Sequence, residues 1–387
     1  MTGSDAMQEK FSRLSRSFLL TGTLGLILLG LLGSRNTGQL FRSWLFAYVF
    51  WIGIPVGSIA LVMLHHMSGG RWGVPIRRIL EAAGRTFPVM ALLFLPILAG
   101  VRELYPWTSH VDDPTGFRRL YLSAPFFTVR TVIYFLIWFS LAYFLSRWSL
   151  EQDRTGDPRI AKKLEALSAP GLILYGLAAT YSSVDWVMSL EPNWSSTIYG
   201  MWFMVIGALT AMAFAVFVLR RLVETPPLKR VVTPQQFNDL GNLLLAFVML
   251  WAYLGFSQFL LIWAGNLKDE IPWYLTRARG SWAILAVILI IFHFVIPFVL
   301  LLSRGVKRRL GVLSAVAGVL IFMSLADVYW LVVPAFEPNA PRVHPLDLLA
   351  VVAIGGLWLS EFFRQLKGKL LVPAHDPNME EVLSHGD

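Results

Sequence analysis

Arg130, Asp185, Gln258, His293 and Asp327 each lie inside an apolar stretch long enough to cross a bilayer. A charged side chain at mid-helix costs roughly 2.5–3.5 kcal/mol on insertion scales, so each charge asks for a partner, a wet cavity or an escape route. Asp185 follows Tyr181 and Ser182 at i−4 and i−3, and Asp327 follows Ser324 at i−3. On a helix this spacing puts hydroxyls and carboxylate on one face. Two such carboxylates with Arg130 at similar depth describe a buried ionic network. Desolvation raises a carboxylate's pKa and a nearby cation lowers it, so such a network suits proton uptake and release. The plainer alternative is that Arg130 pairs with one aspartate and locks two helices together.

His293 stands near the middle of its run, in Phe292-His293-Phe294-Val295-Ile296-Pro297-Phe298. Pro297 lacks the N–H that would reach the His293 carbonyl. The expected kink sets a free carbonyl beside a titratable ring, which suits a relay, a water or a quinone head group, or equally a packed histidine bonded to a neighbouring helix. His65 and His66, at the cytoplasmic end of their run, are candidates for proton entry, although interfacial histidines ordinarily only face head groups. His110, His344, His375 and His385 fall in loops or the tail, so a bis-histidine haem lacks its second facing ligand. The absence of cysteine excludes disulfides, thiolate nucleophiles, cysteine-ligated iron–sulfur clusters and Cys-type zinc sites. No phosphate-cradling Gly-Lys motif and no metal-spaced cluster occurs.

The elements that must hold these residues follow from composition. Of the 387 residues 56% are apolar and 15% charged, and the mean hydropathy is +0.60. Soluble domains are nearer 45–50% apolar and about 25% charged, so the membrane is the expected solvent. Ten runs approach the roughly 20 apolar residues a spanning helix needs: 17–33, 43–64, 86–104, 126–145, 169–188, 198–219, 239–263, 281–302, 311–333 and 345–363. The expected fold is an all-α membrane protein without a sizeable extramembrane domain.

A formal charge of +9 invites a nucleic-acid reading, but the basic residues punctuate apolar runs instead of clustering. Twenty-three of them fall on the N-terminal segment, the even-numbered connections and the tail, Arg71, Arg77, Arg78, Arg85 and Arg230 among them. Eight fall on the opposite set, including Arg42, Arg118 and Arg277. By the positive-inside rule both termini are cytoplasmic. The first run, Phe18–Leu32, follows a basic start as a signal peptide does, but no small-residue cleavage pattern follows it, so a retained helix is expected. Trp107, Trp186, Trp194, Trp263, Trp273, Trp282 and Trp330 fall near outer ends, where interfacial anchoring is the ordinary role.

The fifth and ninth runs end alike. Each carries Ser-x-x-Asp and then Glu-Pro, at Glu191-Pro192 and Glu337-Pro338. A separation of four spans gives parallel repeats. The expected division is an N-terminal segment with the first helix (1–42), a first four-helix bundle (43–190), a second (191–335), and the tenth helix with a cytoplasmic tail (336–387).

Four stretches carry a family resemblance: Asp-Trp-Val-Met-Ser-Leu-Glu-Pro-Asn-Trp-Ser-Ser-Thr-Ile-Tyr-Gly at 185–200, Leu-Gly-Phe-Ser-Gln-Phe-Leu-Leu-Ile-Trp-Ala-Gly-Asn-Leu at 254–267, Glu-Ile-Pro-Trp-Tyr-Leu at 270–275 and His-Phe-Val-Ile-Pro-Phe at 293–298. Over about residues 85–335 the chain resembles the ActF-type membrane subunits of bacterial alternative complex III, within the NrfD-like (polysulfide-reductase membrane-subunit-like) family. The resemblance implies ten helices, as two four-helix bundles and two flanking helices, in the bacterial cytoplasmic (inner) membrane. It implies a quinol:electron-acceptor oxidoreductase whose partners are a paralogous ActC-like membrane subunit, an iron–sulfur subunit, and multihaem and monohaem cytochrome c subunits, with membrane lipids around them.

In that family the quinol site is best attributed to the ActC-like paralogue. The resemblance therefore implies a subunit that is not itself the catalytic quinol site, with no redox cofactor of its own, contributing scaffold and proton half-channels or a quinone-like pocket. Haem c and iron–sulfur clusters would reside in partner subunits, and only quinone or lipid would bind here. Residues 1–80 and the tail after Leu370 carry none of these motifs. Two other classes compete: a free-standing proton-coupled secondary transporter, which composition alone allows equally, and a purely structural anchor for peripheral cytochromes. A transporter would typically break paired helices at the midplane, whereas Pro297 has no matching breaker in the fourth run.

Overall fold

The computed structural model describes residues 3–109, 116–225, 228–229 and 232–376. His110, Arg230 and His385 lie outside them. Every long element is a helix: α1 (Gly3–Gly33), α2 (Thr37–Ser68), α3 (Arg77–Gly84), α4 (Phe87–Ala99), α5 (Ala124–Thr155), α6 (Pro158–Trp186), α7 (Tyr199–Leu222), α8 (Pro234–Gly265), α9 (Gly280–Leu302), α10 (Leu310–Val332) and α11 (Pro345–Leu366).

Among the described residues eight helices are long and apolar enough to cross a membrane, and α3 with α4 makes a ninth if the pair, bent by 41°, counts as one span. The fifth expected run falls on α6, which is 29 residues long and ends two residues before the run does. It falls short on apolar content because Tyr175, Ser182, Ser183 and Asp185 occupy it, all of them turned into the protein.

The centre of the molecule is α2 against α7. Both are almost wholly enclosed, with 83% and 89% of their most apolar windows buried. Lipid tails are as apolar as leucine, so helices in a bilayer associate through close backbone contact at small residues. Gly53 and Gly57 of α2 face Gly207 of α7, and a Cβ on Gly57 would overlap the Gly207 carbonyl. Around this pair α6 packs on both α2 and α7, and so does α10; α5 then packs on α6, and α9 on α10. At the periphery α1 lies along α11, where a Cβ on Gly22 would come within 2.6 Å of the Leu357 nitrogen.

The tryptophans expected at the membrane surface are mostly inside. Trp107, Trp186, Trp194, Trp273, Trp282 and Trp330 are all buried, and of the seven only Trp263 is exposed, at 69%. Their rings fill the space between helix ends, and three of the N–H groups find protein acceptors there: Trp107 Nε1 donates to Ser189 Oγ at 3.2 Å, Trp186 Nε1 to Thr131 Oγ1 at 3.2 Å and Trp282 Nε1 to the Glu337 carbonyl at 3.0 Å.

Candidate functional site

Asp185 and Asp327, alike in sequence, have unlike surroundings. Asp185 ends α6 and is 1% exposed. Arg130 of α5 donates from Nε to its Oδ2 at 2.8 Å and from Nη2 to its Oδ1 at 2.9 Å, and the Tyr134 hydroxyl adds a bond to Oδ2 at 2.7 Å. The remaining guanidinium nitrogen reaches the Tyr121 carbonyl at 2.8 Å, with the Tyr121 ring centroid 3.8 Å from its carbon. The two ions are therefore paired in the bidentate geometry suited to a planar fork.

Two sequence expectations change here. Ser182 bonds back to the Ala179 carbonyl at 3.0 Å, and Tyr181 is 48% exposed, so neither hydroxyl serves the Asp185 carboxylate. Tyr134, from the neighbouring helix and one turn beyond Arg130, does so instead. Arg130 is not shared with Asp327 either. A bidentate guanidinium spends itself on one carboxylate, and the expected single network is two separate clusters.

Asp327 on α10 is 0% exposed. Trp251 of α8 donates from Nε1 to its Oδ2 at 2.8 Å, whereas Oδ1 has no protein partner. Ser324 one turn earlier is also fully buried, its hydroxyl without a partner. The Trp251 indole lies on the His293 imidazole, centroids 4.4 Å apart and planes 32° from parallel, and neither ring nitrogen of His293 is hydrogen-bonded. Trp251 thus joins Asp327 to His293. Among the described residues no cation pairs with Asp327.

The helix around His293 shows how the chain answers Pro297. From Ile290 to Val295 it widens into a π turn, closed by the Ile296 N–H on the Ile291 carbonyl, and Pro297 opens the α-helical segment that follows. The expected kink is therefore an insertion in the helical ladder, a form often found at functional sites.

Gln258 belongs to neither cluster. It is buried on α8 and accepts a hydrogen bond from the Ser196 hydroxyl, which ties the α6–α7 connection to α8. His65, in the last turn of α2, packs against the loop that follows, its Nε2 3.2 Å from the Gly70 carbonyl and its ring edge-on to Trp72. His66 beside it is half-buried.

Arg77 and Arg78, topological charges under the positive-inside rule, are only 2% and 1% exposed. Both hold Glu81, at 3.1 and 2.6 Å, and both reach Ser149 Oγ, at 2.8 and 2.9 Å. Arg77 also pairs with Asp376 and Arg78 with Asp153. The spacing Arg-Arg-x-x-Glu, with Gln152-Asp153 at the end of α5, was the available signal, since i+3 and i+4 partners share a helix face. Arg277 is a second case: counted as an outer charge, it is fully buried and pairs with Glu191 at 2.7 Å. The other Glu-Pro carboxylate, Glu337, lies 3.8 Å from Arg42 at the start of α2.

Among the described residues no three His, Asp or Glu side chains stand close enough together to hold a metal ion. His293, Ser324 and Asp327 carry donors and acceptors a quinone would use. All three are 0% exposed, with the Trp251 indole lying on the imidazole, so they do not fit a quinone ring beside them. The length and apolar content of the helices mark a multi-pass α-helical membrane protein. No protein-family model matches the sequence, and no curated protein matches it significantly.

Proposed function

We propose that this chain is a membrane subunit of a quinol-oxidising complex of the alternative complex III type, contributing scaffold and a proton half-channel. In this reading ten helices span a bacterial cytoplasmic membrane with both ends cytoplasmic, as the 23 to eight distribution of basic residues implies. The motifs at 185–200, 254–267, 270–275 and 293–298 support the family, and the pairing of helices supports its two four-helix units. Contacts α2–α6, α5–α6 and α6–α7 have counterparts in α7–α10, α9–α10 and α10–α2, as a twofold relating spans two to five with six to nine requires.

The observation that carries the functional part is the contrast between equivalent aspartates. Asp185 is locked by Arg130 and Tyr134 and serves as structure. Asp327 keeps an oxygen unbonded, one indole from a histidine with two unbonded nitrogens. Buried polar groups are ordinarily satisfied, and each orphan costs about 1–3 kcal/mol. Their concentration at Asp327, Ser324 and His293 marks the place where protons would be held and passed. Quinol oxidation itself, with haem c and iron–sulfur chemistry, is assigned to the ActC-like, iron–sulfur and cytochrome partners. A free-standing transporter is the weaker reading, because the helix irregularities, at Arg85-Thr86 and around His293, fall in spans three and eight, which the twofold does not relate.

Purification through a tag on this chain in mild detergent tests the assignment. Subunits with c-type haem absorbance and iron–sulfur signals should co-purify in fixed ratio. A homogeneous preparation of this chain alone, from membranes that contain such cytochromes, would reject it.

A further inference from the structure

A cavity of about 630 Å³ opens at the end of the bundle that carries the basic connections. It lies between the α3–α4 break, the last turns of α5 and the chain that follows α11. Local sequence sets each wall. Gly84 sits against Ile59, where a Cβ would come within 2.9 Å of the Ile59 Cγ2, and Pro88 opens α4, so the span bends at Arg85-Thr86 and presents Arg85. Past α11, Gly368 turns the chain at φ 74°, a conformation glycine adopts freely, and brings Lys369 and Leu370 alongside. Leu371 and Val372 are then buried and Asp376 pairs with Arg77, so this part of the tail is strapped to its own chain.

Four cations line the opening: Arg85, Arg147, Arg154 and Lys369. The carboxylate among them, Asp153, is already held by Arg78 and by the Ala374 N–H at 3.0 Å. Arg147 reaches only the Tyr143 hydroxyl and Lys369 only the Gln365 side-chain carbonyl, both neutral acceptors. The Nε of Arg85 is buried without a partner, and among the described residues no carboxylate lies within ion-pairing distance of its guanidinium. Below this rim the wall is apolar, formed by Phe139, Ala142, Leu150 and Leu370. Phe139 and Tyr143 are 44% and 45% exposed on the outer face of α5, so the wall continues onto the surface that meets acyl chains.

We propose that this cavity is a binding site for an anionic phospholipid, with the phosphate between Arg85, Arg147, Arg154 and Lys369 and the acyl chains along Phe139 and Tyr143. Guanidinium forks match phosphate oxygens in pairs, and basic pockets between membrane helices are suited to anionic head groups. The apolar wall selects lipid over free phosphate. The proposal requires only that α5 face the bilayer, and it stands or falls apart from the oxidoreductase reading.

The test uses the full-length protein, delipidated in mild detergent. Its thermal unfolding is followed with added phosphatidylglycerol, phosphatidylcholine or inorganic phosphate, and retained lipid is read by native mass spectrometry. Phosphatidylglycerol should raise the midpoint and remain bound, while phosphatidylcholine and phosphate should do neither. Arg147→Gln/Arg154→Gln, which alters two exposed side chains, should leave the lipid-free midpoint unchanged and weaken phosphatidylglycerol binding about tenfold or more. Unchanged affinity in that variant would overturn the site. An equal response to phosphate would overturn its lipid occupant, and an equal response to phosphatidylcholine its charge selectivity.

Discussion

Arg130 and Asp185 meet edge to edge, with two parallel hydrogen bonds of 2.8 and 2.9 Å and Tyr134 closing the third side. Removing one partner of such a buried pair leaves an uncompensated charge and costs about 3–5 kcal/mol. Asp185→Asn and Arg130→Gln should each lower the unfolding free energy by about that amount in detergent. The double variant Arg130→Met/Asp185→Leu, with no stranded charge, should recover much of the loss. Chemical unfolding of the purified chain measures all three, and single variants within about 1 kcal/mol of wild type would remove the structural role.

Asp327 should behave in the opposite way. Asparagine keeps the shape of the side chain and an oxygen for Trp251 Nε1, so Asp327→Asn should leave stability within about 1 kcal/mol of wild type. It should nevertheless abolish proton release by the assembled complex in proteoliposomes while quinol oxidation continues. Full proton release in that variant would leave only the scaffold role. His293→Leu, which removes both unbonded nitrogens, should give the same split.

The two aspartates also show how far the sequence reaches. The helical class, the membrane environment and the list of polar intruders are legible because apolar run length and misplaced charge are one-dimensional properties. Which intruders meet is not, because partners such as Tyr134 and Trp251 lie on other helices and look like ordinary aromatic residues of an apolar run. The same limit explains Arg77 and Arg78: a basic pair at a span end reads as a topological charge until Ser149, Asp153 and Asp376 are brought onto it. The buried tryptophans at helix ends follow the same limit, since a helix end under a covering connection is interior.

The α2–α7 contact yields a packing prediction. Gly57 has no room for a side chain because the Gly207 carbonyl occupies that space. Overpacking a tight core costs about 1–3 kcal/mol, and a backbone obstacle relaxes less than a side chain does. Gly57→Val should therefore destabilise by at least about 3 kcal/mol, seen as a lowered denaturation midpoint. Gly53→Ala, whose nearest neighbour across the contact is 3.7 Å away, should cost less than about 1 kcal/mol. Equal effects at the two positions would mean that the helices do not touch there.

Lys369 gives the lipid cavity a pH dependence with a definite sign. Burial and then the Arg85 guanidinium push its ammonium down to about 7, with Arg78 adding to this and Glu81 and Glu361 opposing it. In the unfolded chain the same group keeps its ordinary value near 10.5. Between about pH 7 and 10 the unfolded state holds the proton and the native state has released it, so this residue makes stability rise with pH there. Below that window the native state carries the ammonium at a cost, and Lys369→Met should be stabilising at about pH 6, the gain fading towards about pH 10. A bound phosphate favours the ammonium, so lipid binding above about pH 7 must take up a proton, and affinity should fall by up to about tenfold per pH unit. Phosphatidylglycerol titrations at several pH values, on wild type and Lys369→Met, measure both effects. The variant should bind more weakly at low pH and lose the slope; a flat profile in wild type, or the same slope in both, would take Lys369 out of the site.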